Sequence, residues 1–135
     1  MKKAKQKYIY AVGRRRTASA RVRLYKGKGE NTINEKAISD YFPGEINKAR
    51  WIKPYEVTDT LGKYYFSVKI IGSGKESQLD ALVHGLARAF VKADPEKFKS
   101  SLRAAGLLTR DPRERQRRMV GMGGKARRKK QSPKR

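Results

Sequence analysis

Two segments of the chain alternate apolar and polar residues with a period of two, which is typical of strands that bury one face. In residues 18–25 the apolar set is Ala18, Ala20, Val22 and Leu24, and the intervening set is Ser19, Arg21, Arg23 and Tyr25. In residues 63–71 the two sets are Tyr64, Phe66, Val68 and Ile70, and Tyr65, Ser67, Lys69 and Ile71. We expect two strands here, the first with one apolar and one cationic face.

Residues 77–93 have apolar positions at three-and-four spacing, which predicts an amphipathic helix whose apolar stripe covers a sheet. The stripe contains Leu79, Leu82, Val83, Leu86, Ala87, Phe90 and Val91. A second row on the same helix has only small residues, Ala81, Gly85 and Ala89, and predicts the close approach of another backbone. A third row contains His84, Arg88 and Lys92.

The N-terminal part predicts shorter elements. Residues 8–12 favour a short strand, followed by a turn with three cations that we expect to lie outside the core: Arg14, Arg15 and Arg16. Gly27 and Gly29 indicate a hairpin turn that leads to a short strand around residues 32–33.

Three more helices follow from capping residues and breakers. Asn34 is expected to be the N-cap of a short helix that ends near Tyr41, and residues 45–52 favour another turn or two before Pro54. Asp94 and Pro95 predict an N-cap and a first helical residue, for a helix that ends near residue 105 with Gly106 as its C-cap.

Charge is the strongest signal in the composition. The 135 residues contain 35 Lys and Arg against 12 Asp and Glu, a net charge of +23. Such an excess destabilises a compact fold by self-repulsion, and proteins that carry it commonly bind polyanions. The length suits one domain. We expect an intracellular protein, because the sequence has no signal-peptide core and no apolar run of membrane-spanning length.

The composition changes after Gly106. Residues 110–135 contain twelve Lys or Arg against two acids, a net charge of +10, and no aromatic residue. Because such a segment buries too little apolar surface to offset the entropy of ordering, we expect it to be disordered in the free protein. The sequence therefore divides into a globular RNA-binding domain, residues 1–109, and a basic extended tail, residues 110–135.

Little in the sequence supports catalysis. Without cysteine and with His84 as the only histidine, we expect no metal site and no cofactor. The segment Gly72-Ser73-Gly74-Lys75 resembles the end of a P-loop, which requires a glycine at position 69 and a serine or threonine at position 76. This chain has Lys69 and Glu76 there, so both requirements fail. We therefore expect a protein that is not an enzyme.

The basic clusters together favour RNA, because arginine forks onto phosphate and stacks on bases. The candidate RNA contacts are Arg14, Arg15, Arg16, Arg21, Arg23, His84, Arg88, Arg110, Arg113, Arg115, Arg117, Arg118, Lys125, Arg127, Arg128, Lys129 and Lys130. Charge alone also allows a general nucleic-acid-binding or DNA-compacting protein.

Several segments resemble one family in order along the chain. They are GRRRTASARVRL (13–24), YFP (41–43), HGLARA (84–89), GLLTRDPR (106–113), KARR (125–128), Gln131 and the final Lys-Arg pair. Together they cover nearly the whole sequence and are similar to the bacterial form of small-subunit ribosomal protein number nine.

This resemblance implies an α+β fold, a small sheet packed by helices. The domain would be like the second domain of ribosomal protein S-five, with a left-handed βαβ crossover, plus the extended basic tail. It also implies rRNA and neighbouring proteins of the subunit head as partners in the cytoplasmic ribosome. The tail would reach the peptidyl-site tRNA through Lys134 and Arg135.

Two positions depart from the family pattern. Residues 119–124 (MVGMGG) replace the usual Lys-Tyr-Gly, which removes an aromatic side chain that could stack on a base. Ser132 and Pro133 replace the usual aromatic residue and serine before the final pair, and Pro133 lacks a backbone N–H donor.

Overall fold

The computed structural model describes residues 7–129, in which five strands form one mixed sheet. The strands are β1 (Ile9–Arg15), β2 (Ala18–Lys26), β3 (Thr32–Ile33), β4 (Lys36–Ala37) and β5 (Tyr64–Ile71), in the order β1-β2-β5-β3-β4. Strand β2 pairs antiparallel with both β1 and β5, while β3 pairs parallel with β5 and antiparallel with β4.

The described helices are α1 (Ile38–Tyr41), α2 (Glu45–Thr58), α3 (Lys75–Ala93) and α4 (Pro95–Ala104). The expected start of α4 is confirmed, because the Asp94 side chain accepts a hydrogen bond from the Lys97 amide at 3.2 Å and Pro95 is the first helical residue. Gly106 follows α4 with a φ of 73°, as expected of a residue that ends a helix. The chain is therefore α+β. Within residues 7–129 no helix is long and apolar enough to span a membrane.

The core lies between one face of the sheet and helices α2, α3 and α4. The alternating apolar residues of β2 and β5 are buried as predicted, except Tyr64, which is half-buried. Most of the α3 stripe is also buried, and Leu24, Phe66, Leu82, Leu86 and Phe90 are completely enclosed. Among the described residues no helix covers the opposite face, here called the helix-free face, which is lined by the second set of side chains of the same strands.

Strand β1 crosses α3 at the predicted row of small residues. A Cβ built on Gly13 would lie 1.9 Å from the Ala81 carbonyl oxygen and 2.3 Å from the Gly85 nitrogen. Because both neighbours are backbone atoms, the crossing requires glycine at position 13. The close approach expected from Ala81, Gly85 and Ala89 is confirmed.

Two expectations about the region after β2 are wrong. The glycines do not turn β2 into a hairpin with β3, because both edges of β2 are already occupied by β1 and β5. Asn34 is not a helix N-cap: it lies in the turn between β3 and β4 with a φ of 50°, and its side-chain amide bonds to the backbone N–H and carbonyl of Ile70. These two bonds extend the pairing between β3 and β5.

Helix α2 does not end before Pro54 but continues through it to Thr58. A proline inside a helix removes one hydrogen bond and costs about 3 kcal/mol. Here the cost is offset by packing, because Pro54 is completely buried and its neighbours Trp51 and Tyr55 pack edge-to-face and tilted against Phe66.

Candidate nucleic-acid interface

The helix-free face of the sheet concentrates positive charge. Arg21 and Arg23 project from β2, and Lys69 lies directly opposite Arg21 on β5. All three side chains are exposed. The cationic strand face expected from Arg21 and Arg23 therefore exists, and Lys69 enlarges it.

Tyrosine side chains line one end of this face. Tyr25 stacks on Tyr65 with ring centroids 5.0 Å apart, and Tyr8 packs on Tyr25 at 5.7 Å. The Arg23 guanidinium lies 5.2 Å from the centre of the Tyr8 ring, within the range of a cation–π contact. Tyr10 lies directly opposite Arg23 on β1. Aromatic and cationic groups thus alternate on one surface.

The third row of α3 bonds to the outer edge of β1. His84 Nδ1 accepts a hydrogen bond from the Arg14 amide at 3.3 Å, Arg88 donates to the Val12 carbonyl at 2.6 Å, and Lys92 donates to the Tyr10 carbonyl at 2.8 Å. These side chains occupy backbone groups that an edge strand otherwise leaves open to another strand. His84 and Arg88, both expected to contact RNA, therefore also have a structural role.

The surroundings of His84 favour the neutral form of its ring. Burial lowers its pKa, a hydrogen bond to the Leu108 backbone partly opposes this, and the nearby Arg88 and Arg110 lower it further. Since Nδ1 accepts from the Arg14 amide, the proton of the neutral ring is assigned to Nε2.

The arginine triplet divides between the surface and the interior. Arg14 and Arg16 are exposed, and Arg16 lies in the turn after β1 with a φ of 50°. Arg15 is only 9% exposed, so the expectation that the whole triplet lies on a turn outside the core is wrong. Its guanidinium binds Asp80 at 3.6 Å and Asp111 at 2.6 Å, and these carboxylates compensate the buried charge.

Asp111 joins the beginning of the tail to the domain. Its carboxylate contacts Arg15 and also accepts hydrogen bonds from the backbone and side chain of Arg113. The hydrogen bonds from Arg113, aided by the charges of Arg113 and Arg15, hold the pKa of Asp111 well below its usual range. The carboxylate therefore stays ionised throughout the physiological pH range.

The tail leaves the domain after this contact. Residues 113–129 contain no helix or strand, and all but Gly123 are exposed. The exposed cations include the predicted Arg110, Arg113, Arg115, Arg117, Arg118, Lys125, Arg127, Arg128 and Lys129. The predicted contacts Lys130, Lys134 and Arg135 lie outside the described residues.

Residues 7–129 contain no group of three His, Asp or Glu side chains that could hold an ion. The acids Glu76, Asp80 and Asp111 instead form ion pairs with arginines. The arrangement is suited to binding polyanions.

Sequence reasoning missed three parts of this surface. Lys69 and Tyr10 were visible in the strand patterns, but their position beside Arg21 and Arg23 depends on the strand order. The pairing of Arg15 with Asp111 joins residues far apart in the chain, and the only local signal was an acid among the basic residues of the tail.

Comparison with known proteins agrees with these features. A sequence model of the family described as "Ribosomal protein S9/S16" matches residues 13–135. A curated relative from Maridesulfovibrio salexigens, named small ribosomal subunit protein uS9, is 45% identical over 117 residues. That alignment covers 87% of this chain and 89% of the relative.

Proposed function

The chain belongs to the ribosomal protein S9/S16 family, and on this premise we propose that it is a structural component of the small ribosomal subunit. It binds ribosomal RNA in the head of the subunit, contacts neighbouring head proteins, works in the cytoplasm as part of the ribosome, and catalyses no reaction.

The observation that carries this proposal is the separation of charge in the structure. Asp80 and Asp111 pair with the buried Arg15, and Glu76 and Asp80 pair with Arg50. The negative charge of these three acids is therefore compensated by arginines of the domain. The helix-free face and the tail keep positive charge that an RNA backbone can neutralise, with release of counterions.

The predicted contact residues differ in what they can offer to RNA. Arg14, Arg16, Arg21, Arg23 and the cations of the tail present exposed groups to phosphate. Arg88 keeps further donors besides the one bonded to β1. Arg15 acts indirectly, because its buried guanidinium positions the start of the tail.

Two finer features follow from the family resemblance. The connection from β3 through β4, α1 and α2 to the parallel strand β5 is proposed to be a left-handed crossover like that of the second domain of ribosomal protein S-five. Most such connections are right-handed. The end of the tail, Lys134 and Arg135, is proposed to reach the peptidyl-site tRNA.

A gradient sedimentation experiment tests the main proposal against the alternative of a general nucleic-acid-compacting protein. Cell lysate is separated at a salt concentration that keeps ribosomal subunits intact, and the chain is quantified in every fraction. We expect one copy per small subunit. A chain found mainly with chromosomal DNA, or in variable amounts on all nucleic acids, would favour the alternative.

A further inference from the structure

A groove of about 570 Å³ crosses the helix-free face of the sheet. Its floor contains Arg21, Arg23 and Lys69, Tyr10 lies on the β1 side, and the turn at Asn34 and Glu35 lies on the other side. A volume of this size is within the range of pockets that hold one small organic group. It is large enough for a nucleobase.

The arrangement of charges in the groove destabilises the free protein. Arg21 and Lys69 lie directly opposite each other on β2 and β5, and like charges in this position destabilise a sheet. Glu35, at the rim, is the one acid among the described residues that line the groove. The repulsion is relieved when a polyanion binds, which favours a ligand with phosphate groups.

Tyr10 supplies a different kind of contact. Its side chain is 43% exposed, although it is a large aromatic group on a strand. The rings of Tyr25 and Tyr65 already stack on each other, whereas Tyr10 lines the groove beside the cations. An exposed aromatic ring next to phosphate-binding cations is the combination with which proteins hold single-stranded nucleic acid.

We propose that this groove binds an unpaired nucleotide segment of RNA, with a base stacked on Tyr10 and the adjoining phosphates bound by Arg21, Arg23 and Lys69. The assignment rests on the proposed function and adds to it a binding site and a class of RNA. A duplex keeps its bases stacked inside, where Tyr10 cannot reach them, and an acidic protein segment would engage only the cations.

The test uses the full-length protein and two labelled RNAs with equal numbers of phosphates, an oligouridine of about twenty nucleotides and a blunt-ended duplex of about ten base pairs, which has no unpaired loop. Binding is measured by fluorescence anisotropy across a salt series, because high salt reduces the electrostatic contribution of the tail. Tyr10→Val removes the ring, and Tyr10→Phe keeps it as the conservative control. Circular dichroism verifies that each variant is folded.

We expect Tyr10→Val to weaken oligouridine binding about tenfold at every salt concentration, while duplex binding stays unchanged. Tyr10→Phe should bind like the unmodified protein. An equal loss on both RNAs, or no loss on either, would overturn the stacking assignment.

A pair of charge-matched variants tests the phosphate contacts. Arg21→Gln with Lys69→Gln removes two cations from the groove, while Lys99→Gln with Arg103→Gln removes two from α4 on the other side of the sheet. The groove variant should lower the slope of log affinity against log salt for oligouridine by about 1.4, and the control should leave it nearly unchanged. Equal effects would show that only total charge matters.

Photo-crosslinking in assembled subunits identifies the occupant directly. A photoreactive phenylalanine at position 10 should crosslink to ribosomal RNA, and a crosslink to a protein would overturn the groove assignment. If the groove variants bind oligouridine as the unmodified protein does, while the chain sediments normally in small subunits, this inference is overturned and the proposed function stays intact. Absence of the chain from small subunits would overturn the proposed function and the ligand assignment with it.

Discussion

Gly13 lies where β1 crosses α3, and the space at its α-carbon admits only a hydrogen atom. Its nearest neighbours across the crossing are the Ala81 carbonyl oxygen and the backbone of Gly85. Backbone atoms of a helix cannot rotate away as the end of a side chain can. The contact also fixes how far the edge of the sheet lies from the helix.

Gly13→Ala should therefore lower the free energy of unfolding by about 3 kcal/mol or more, because β1 must move away from α3 to admit the methyl group. Gly124→Ala is the matched control, since a Cβ there meets no atom within 4 Å, and it should change stability by less than about 0.5 kcal/mol. Denaturant unfolding of the two variants measures both values. Equal stabilities would mean that the crossing is looser than the structure indicates.

At the scale of elements, the longest patterns were predicted well. The alternation in β2 and β5 and the stripe of α3 arise because one face of each element is buried. Such burial produces a pattern among residues that are close in the sequence, so the sequence alone predicts it. The predicted strand at residues 63–71 differs by one residue from β5, and the helix predicted at 77–93 begins two residues earlier in the structure, at Lys75.

The failures share a physical cause, since each depends on partners distant in the chain. Asn34 has the side chain of an N-cap, but its amide bonds to Ile70 on β5. Pro54 has the sequence signature of a helix breaker, but tertiary packing keeps it inside α2. The candidate site shows the same limit, because the groove joins Tyr10 to Lys69 only through the pairing of β1, β2 and β5.

The attachment of α3 to the edge of β1 should depend on pH. The pKa of His84 is lower in the folded chain than its ordinary value of about 6.5. For such a group, stability is fully present above the unfolded-state pKa and is lost as the pH falls below it. Protonation at Nδ1 also removes the acceptor for the Arg14 amide.

Unfolding of the unmodified protein and of His84→Gln, each measured at about pH 7.5 and about pH 5.5, tests this expectation. The unmodified chain should lose more stability between these pH values than the variant, whose side chain does not titrate. At the higher pH the variant should be less stable by about 1 kcal/mol, for one altered hydrogen bond. An identical pH response in both proteins would contradict the assigned role of the neutral imidazole.

On the scale of the whole molecule, one carboxylate sets the point where the tail leaves the domain. Asp111 holds both the buried Arg15 and the backbone of Arg113. Because its pKa is lowered, the stability it contributes is complete above the unfolded-state pKa of about 3.9 and is lost as the pH falls below that value. At neutral pH the tail therefore starts from a defined position.

We expect amide hydrogen exchange in the free protein to be slow through α4 and the Leu107–Leu108 segment and fast at every residue beyond Arg113. The Arg113 amide itself should show intermediate protection, because it donates to Asp111. Asp111→Ala should remove the protection at Arg113 without affecting α4. Glu114→Ala, an exposed residue with the same change in charge, serves as the control. Slow exchange beyond Arg113 would show that the tail has structure of its own before it meets RNA.

The tail's two proposed tasks, anchoring to rRNA and reaching tRNA, should separate when it is shortened in steps. Two terminal cations contribute little to assembly while the other ten of the tail and the exposed Arg14 and Arg16 remain to bind rRNA. Deleting Lys134 and Arg135 should therefore leave one copy per small subunit and weaken peptidyl-site tRNA binding by about 1 to 3 kcal/mol, as for one or two charge-assisted hydrogen bonds.

Arg127→Gln with Arg128→Gln removes the same charge from mid-tail and controls for general electrostatics, while truncation after Arg110 should impair incorporation itself. The measurements are the amount of protein in isolated subunits and the dissociation of tRNA across a salt series. Pro133, which replaces the family's usual residue beside the terminal pair, makes the opposite result informative: if tRNA dissociates from the shortened and full-length forms at the same rate at every salt concentration, this tail anchors rRNA and does not contact tRNA.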